Sequence, residues 1–194
     1  MKKISVIIPC YNAASYIDKC MVSITAQTIG TEALEIICID DASTDGTWEH
    51  LRKWEQMFPD DILLLRQPVN RRQGAARNLG LQYASTEWIA FVDADNWLEF
   101  DYFQKLYDPA VRFGCEVVCC GTMRDIADLD DCFNEGKRQP GKEYHLVTDT
   151  KELKEASLRC KLMGIGPAAK IIQKKLLVES EIYFPEELAY EDHY

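Results

Sequence analysis

Apolar positions along the chain fall into short β-branched runs that alternate with stretches of helical spacing. Ile4-Ser5-Val6-Ile7-Ile8-Pro9 is a run closed by proline and reads as a buried strand. From Ser15 to about Thr28, Ile17, Cys20, Met21 and Ile24 recur at helical spacing, with Ser15 placed to cap the helix. Leu34–Ile39 repeats the strand pattern and is stopped by Asp40-Asp41. Ser43 is then expected to cap a helix whose apolar face carries Trp48, Leu51, Trp54 and Phe58. Ile62–Leu65 is a third strand, a helix follows over Gly74–Ala84, and Trp88–Val92 is a fourth strand stopped by Asp93. Helical spacing returns over about Asp101–Phe113, where Pro109 is expected to kink or divide the helix. Val117–Cys120 is a fifth strand.

Strands and helices in alternation with short joins predict an α/β domain, a mostly parallel central sheet with helices on both faces. From Thr122 to about Asp149 the pattern fails, and a long loop or hairpin is expected. A helix over about Thr150–Lys161, a break at Gly164-Ile165-Gly166-Pro167 and a short helix over Lys174–Glu179 complete the reading. The sequence closes at Glu191-Asp192-His193-Tyr194 with no stop signal, and reads as cut inside an element.

Composition narrows the functions such a domain could serve. At 194 residues with 47% hydrophobic content, the chain has material for one core. Its net charge of −10 and pI of about 4.8 argue against nucleic acid as a partner. An anionic ligand must therefore be held locally, by a metal, a few basic side chains or a helix N-terminus. The eight cysteines include no Cys-x-x-Cys pair and lie partly in apolar runs, so they read as reduced thiols. No segment approaches membrane-spanning length. A cytoplasmic protein is expected, with room for peripheral attachment to the inner face of the membrane through regions outside these residues.

Two strands end in carboxylates, Ile39-Asp40-Asp41 and Val92-Asp93-Ala94-Asp95. Ligands of open parallel sheets bind at the carboxyl ends of strands, so both clusters should face one crevice. Asp-x-Asp after a buried strand supplies hard oxygen ligands suited to Mg²⁺ or Mn²⁺. Aspartates there can equally be helix caps, and Asp40-Asp41 can equally belong to a receiver-type acidic pocket. Gln73-Gly74-Ala75-Ala76-Arg77-Asn78 opens a helix with small residues and one arginine. That stretch suits either an anion beside the backbone or close packing on the sheet.

The order of the pieces carries more than any one of them. Ser5-Val6-Ile7-Ile8-Pro9-Cys10-Tyr11-Asn12, Ile39-Asp40-Asp41-Ala42-Ser43-Thr44-Asp45-Gly46-Thr47, Gly74-Ala75-Ala76-Arg77-Asn78-x-Gly80 and Phe91-Val92-Asp93-Ala94-Asp95 together resemble the family-2 glycosyltransferases of the GT-A fold. Gly166-Pro167-Ala168-Ala169-Lys170 and Phe184-Pro185-Glu186-x-x-x-x-Tyr190-Glu191-Asp192 look like that family's later segments. In the first of them, Ala168-Ala169 stand where Trp-Asn is common, and Ile172 where an aromatic is common.

The resemblance implies an inverting, metal-dependent transferase taking a nucleotide-diphosphate sugar, UDP being the commonest choice, and an acceptor hydroxyl on a glycan or lipid-linked glycan. Its nucleotide-binding part would be about residues 1–121, and 122–194 an incomplete acceptor part. By the same resemblance, Pro9, Tyr11 and Asn12 line the nucleotide pocket and Asp41 bonds the base or ribose, with Asp40 and Ser43 supporting the turn. Arg77 faces the nucleotide or diphosphate, Asp93 and Ala94 face the donor, and Asp95 with Asp93 holds Mn²⁺ or Mg²⁺. Asp192 is the general base. A donor-binding module without transfer activity stays open. A doubly wound signalling domain is disfavoured, because no Gly-x-Gly-x-x-Gly or P-loop is present.

Overall fold

A computed structural model describes residues 1–120 and 167–186. The expected loop after Thr122, the helix near 150–161 and Asp192 lie outside the described residues. The strands are β1 (Ile4–Cys10), β2 (Leu34–Asp40), β3 (Ile62–Arg66), β4 (Trp88–Phe91), β5 (Val117–Cys119) and β6 (Lys170–Gln173). The helices are α1 (Ile17–Thr25), α2 (Thr47–Met57), α3 (Arg72–Tyr83), α4 (Tyr102–Phe113) and α5 (Lys174–Glu179).

The six strands form one sheet in the order β3-β2-β1-β4-β6-β5. β3, β2, β1 and β4 pair in parallel, while β6 runs antiparallel to both β4 and β5. The expected mostly parallel α/β sheet is therefore present. β6 is a strand the periodicity misses. Lys170-Ile171-Ile172-Gln173 offers two apolar residues between a Gly-Pro break and a helix, too little pattern to distinguish from a loop. Its pairing with β4, Trp88 opposite Gln173 through Ala90 opposite Ile171, is a tertiary effect.

Alternation along the strands divides the core. Ile4, Val6 and Ile8 of β1 pack with Ile17, Cys20, Met21 and Ile24 of α1, Leu51 of α2, and Phe103 and Leu106 of α4. Ile7, Ile37, Ile39, Ile89 and Phe91 point to the other face, against Ala76 and Leu81 of α3 and Leu177 of α5. Helices thus cover both faces, as expected. On the α3 face the approach is close. A Cβ added at Gly80 would overlap Ile7 Cγ2 and lie 3.0 Å from Ile39 Cδ1. The small residues of α3 are therefore required by packing on the sheet.

Three local expectations are corrected. Ser15 does not cap α1: the helix starts after Tyr16 without a side-chain cap, and the N–H groups of Tyr16 and Ile17 both reach the Ala13 carbonyl at 2.9 Å. Ser43 does not cap α2, which starts after Gly46 in the left-handed conformation (φ 96°). Pro109 does not divide α4. A proline inside a helix costs roughly 3 kcal/mol, whereas fully burying one large side chain returns about 1.5–3 kcal/mol. Phe103 and Leu106 are both buried on the sheet, so one helix survives across the proline.

Candidate functional site

Chain order reverses beside β1: β2 and β3 extend to one side, then β4 returns to the other. A crevice is expected at the carboxyl ends of strands flanking such a switch point. A cleft of about 560 Å³ opens there. Its lining comprises Pro9, Cys10, Tyr11, Asn12, Ala13 and Tyr16 after β1, Asp41 after β2, Asn70, Arg72 and Gln73 before and within α3, and Asp93, Ala94 and Asp95 after β4. Seven sequence-assigned residues therefore share one wall-to-wall space: Pro9, Tyr11, Asn12, Asp41, Asp93, Ala94 and Asp95. Asp40 and Arg77 are buried and not part of its lining, and Asp192 is outside the described residues.

The loops after β1 and β2 are sewn together by side chains. Asn12 adopts a positive φ of 49°. Its backbone N–H donates to Ser43 Oγ at 3.0 Å, and its Oδ1 accepts from the Thr44 N–H at 2.9 Å. The Ala13 N–H donates to Thr47 Oγ1 at 2.8 Å and the Ala14 N–H to Asp45 Oδ2 at 3.0 Å. Asp45 Oδ1 in turn accepts from the Thr47 N–H at 3.1 Å and hydroxyl at 2.6 Å. Ser43, expected as a helix cap, is spent on this seam instead. Asp40, fully buried, accepts from the Ser43 N–H at 3.3 Å and pairs with Arg66 Nε at 3.0 Å. Arg66 lies over the Trp48 ring at 4.9 Å.

Asp41 is buried at 2% exposure. Its Oδ1 accepts from the Arg71 N–H at 2.8 Å, while Oδ2 has no hydrogen-bond partner among the described residues. Burial raises its pKa, more than the backbone donors of Arg71 and Arg72 lower it. An acceptor without a partner, at the edge of a cleft, is suited to a donor from a ligand.

The β4 side is more open. Asp95 is exposed and Asp93 partly so. Asp93 Oδ1 accepts from Arg77 Nη2 at 2.8 Å, and its Oδ2 lies 3.4 Å from Asn96 Nδ2. The Arg77 side chain is only 3% exposed and stacks 5.3 Å from the Phe184 ring. Arg77 therefore meets the cleft through Asp93. Burial first, then the charges of Asp93 and Asp95, push the Cys20 thiol up to about 12, so both carboxylates act on one small volume. Six cysteines among the described residues are free.

The residues present fit a divalent cation of the Mg²⁺ or Mn²⁺ type. Among the described residues no cluster of three or more His, Cys, Asp or Glu could hold a metal unaided. Such ions characteristically take one or two carboxylates and complete their shell with ligand phosphates and water. Asp93 and Asp95 provide that partial set.

Sequence reasoning did not assign Cys10, Ala13, Tyr16, Asn70 or Arg72 to the cleft, while Gln73 opens the stretch read as suited to an anion or to close packing. The available signal was positional: every strand-to-helix loop of a parallel sheet ends on the same side. Asn70 belongs to the loop after β3, and Arg72, the first residue of α3, holds a positive φ of 68°.

The fold and sequence have counterparts. The model of glycosyl transferase family 2 matches residues 5–178. Glycosyltransferase GlyA of Streptococcus pneumoniae is 37% identical over 115 residues, 59% of this chain and 16% of its own length. The poly(ribitol-phosphate) beta-glucosyltransferase of Bacillus spizizenii is 28% identical over 183 residues, 94% of this chain and 27% of its own. Among solved structures, Staphylococcus aureus TarS 1-349 with UDP-GlcNAc superposes with a TM-score of 0.76 at 26% identity, covering 98% of this chain and 51% of that one. A Pyrobaculum calidifontis mannosyltransferase in complex with GDP-Man and Mn²⁺ shares the fold with a TM-score of 0.60 at 23% identity, over 94% of this chain and 47% of that one. The chain thus spans about half the length of the solved enzymes, and 16% and 27% of the two curated relatives. With the central sheet, the cleft at its switch point and the match over residues 5–178 in agreement, the chain is a GT-A-fold member of glycosyl transferase family 2.

Proposed function

We propose that this chain binds a nucleoside-diphosphate sugar, UDP being the nucleotide, and transfers its hexosyl or N-acetylhexosaminyl group with inversion to an acceptor hydroxyl. The acceptor would be a growing surface glycan or lipid-linked glycan. One observation carries the reading: Asp41, Asp93 and Asp95 from two separate strand ends line a single cleft with Tyr11 and Asn12. A nucleoside has hydrogen-bond donors for the unpartnered Asp41 Oδ2, and Tyr11, half exposed, offers a ring for the base. UDP-GlcNAc in the TarS structure supports the choice of nucleotide.

Asp95 and Asp93 would hold Mn²⁺ or Mg²⁺, which when bound supplies positive charge to the diphosphate leaving group in a protein that is otherwise acidic. Arg77 fixes the orientation of Asp93 through their ion pair. Asp192, in the family's Glu-Asp motif, removes the proton from the acceptor hydroxyl. That oxygen attacks the anomeric carbon from the face opposite the diphosphate, the carbon–oxygen bond to the diphosphate breaks, and the proton stays on Asp192. One displacement inverts the anomeric centre.

No helix among the described residues is long and apolar enough to cross a membrane. We place the protein in the cytoplasm, reaching the inner membrane face peripherally. Calorimetric titration of UDP with and without Mn²⁺ tests the donor site. Binding that requires Mn²⁺ is expected, and no binding of UDP or GDP in either condition overturns it. Sugar release from UDP-GlcNAc or UDP-glucose, lost in Asp192→Asn while UDP binding persists, separates transfer from binding alone.

A further inference from the structure

Two glutamines of equal burial are used differently. Gln27 and Gln67 are each 5% exposed. Gln27 is fully bonded: its Nε2 donates to the Ser23 and Glu99 carbonyls at 2.9 and 2.7 Å, and its Oε1 accepts the Phe103 N–H at 3.0 Å. It ties the start of α4 and the loop before it to the end of α1, which is a structural role. Gln67 Nε2, equally buried, has no hydrogen-bond partner among the described residues. A buried amide donor left unpaired lowers stability, so its retention calls for a use outside the fold.

The β2–β3 ladder places this donor. Asp40 stands opposite Arg66 in the register, and the Gln67 N–H donates to the Asp40 carbonyl at 2.9 Å, so the pairing runs on to Asp41 and Gln67. Ile39 and Leu65, two residues earlier on each strand, both pack on the α3 face of the sheet. Alternation returns Asp41 and Gln67 to that face, on strand ends about 4.7–4.9 Å apart. Two unpartnered polar atoms, the acceptor Asp41 Oδ2 and the donor Gln67 Nε2, therefore leave neighbouring strand ends on one face without satisfying each other. Asp41 lines the cleft, and so does Asn70, three residues beyond Gln67. A flat ligand edge that carries a ring N–H beside a carbonyl would satisfy both atoms at once, and uracil and guanine each have such an edge. We infer that Gln67 is a base-reading residue: with Asp41 Oδ2 accepting the ring N–H, Gln67 Nε2 donates to the adjoining carbonyl of the nucleobase. This rests on the proposed donor site, in which the base is uracil.

The test uses the full-length protein with Gln67→Met, which keeps the length of the side chain and removes its amide. Affinities for UDP, GDP and inorganic pyrophosphate, each with Mn²⁺, are read by calorimetry, and a thermal melt is taken without ligand. For Gln67→Met we expect a melting temperature equal to or above that of the unsubstituted protein, because an unpaired buried donor is removed. UDP affinity should fall roughly tenfold, the scale of one hydrogen bond whose partner would otherwise stay unpaired. Pyrophosphate affinity should stay within twofold, since that ligand has no base. If GDP is the tighter ligand of the unsubstituted protein, the same loss on GDP supports the role of Gln67 and assigns the edge to guanine. A lower melting temperature in Gln67→Met overturns the inference, because it would make the glutamine structural, as Gln27 is. Affinity for the tighter nucleotide within twofold of the unsubstituted protein, or pyrophosphate affinity falling in step with it, also overturns it. Failure of the unsubstituted protein to bind either nucleotide counts against the donor-site reading itself, and the inference falls with it.

Discussion

The two sides of the cleft are built differently. On the β1–β2 side, Asn12, Ser43, Asp45 and Thr47 join two loops by hydrogen bonds between side chain and backbone, and Asp40 and Asp41 are buried behind them. On the β4 side, Asp95 stands exposed and Asp93 leans on one buried arginine. The first side is finished by the protein except at Asp41 Oδ2; the second leaves its carboxylates largely open for something else to satisfy. That division suits a ligand with a rigid nucleoside and a charged, metal-bound diphosphate. The nucleoside needs a preformed pocket, whereas the cation brings its own coordination demands.

The contrast makes opposite demands on the two aspartate sets, and the largest effect is expected at Asp95. Asp95→Ala should weaken Mn²⁺-dependent UDP binding at least about a hundredfold, equivalent to about 2.7 kcal/mol, with the melting temperature essentially unchanged. Calorimetry and a thermal melt on one preparation suffice. Unchanged affinity would remove the β4 side from the donor site. A large loss of stability would show that Asp95 is part of the scaffold after all.

Asp45 should behave in the reverse way. What little burial it has works against ionisation, yet the hydrogen bonds from Thr47 and Ala14 hold its carboxyl below the usual range. Asp45→Ala leaves the Ala14 and Thr47 donors without their acceptor. A cost of about 1–2 kcal/mol follows, or a fall of roughly 3–6 °C in melting temperature. The loss should be largest at neutral pH and shrink in acid, where the carboxyl keeps only a neutral acceptor oxygen. A carboxylate whose folded pKa is lowered contributes stability above its unfolded value, and that contribution goes as pH falls through the folded one. A melt difference that persists unchanged into acid would deny the seam its charge.

Most of this contrast was only half legible in the sequence. Strand ends and carboxylates could be placed because β-branched runs and helical spacing report burial directly, and burial fixed β1 to β4 within a residue or so. What a polar side chain bonds to depends on which loop folds beside it. Ser43 has the chemistry of a helix cap, and only the arrival of Asn12 turns it into a seam residue. Arg77 has the chemistry of a phosphate ligand, but α3 lies so close to β1 at Gly80 that its guanidinium is held under Asp93. β6 was invisible for a related reason. Its four residues become a strand only because β4 and β5 leave a gap for them.

Asp41 gives the smallest effect and the sharpest test of the finished side, because its pH dependence has the opposite sign to that of Asp45. Burial raises its pKa, so the folded protein resists the ionisation that the unfolded chain undergoes near pH 4. Below that value both states are protonated at this position and the charge contributes nothing. As pH climbs from there through the folded pKa, the native state of the unsubstituted protein loses ground, and the loss then levels off. Asp41→Asn keeps an oxygen for the Arg71 N–H but carries no charge to bury. Its stability relative to the unsubstituted protein, read as melting temperature, should therefore rise between pH 3 and pH 7. UDP affinity should fall over the same range, since the amide replaces the unpartnered oxygen offered to the nucleoside. A relative melting temperature that falls with pH would mean that the folded protein stabilises this carboxylate, and that the β2 strand end is built to hold charge, as the β4 end is.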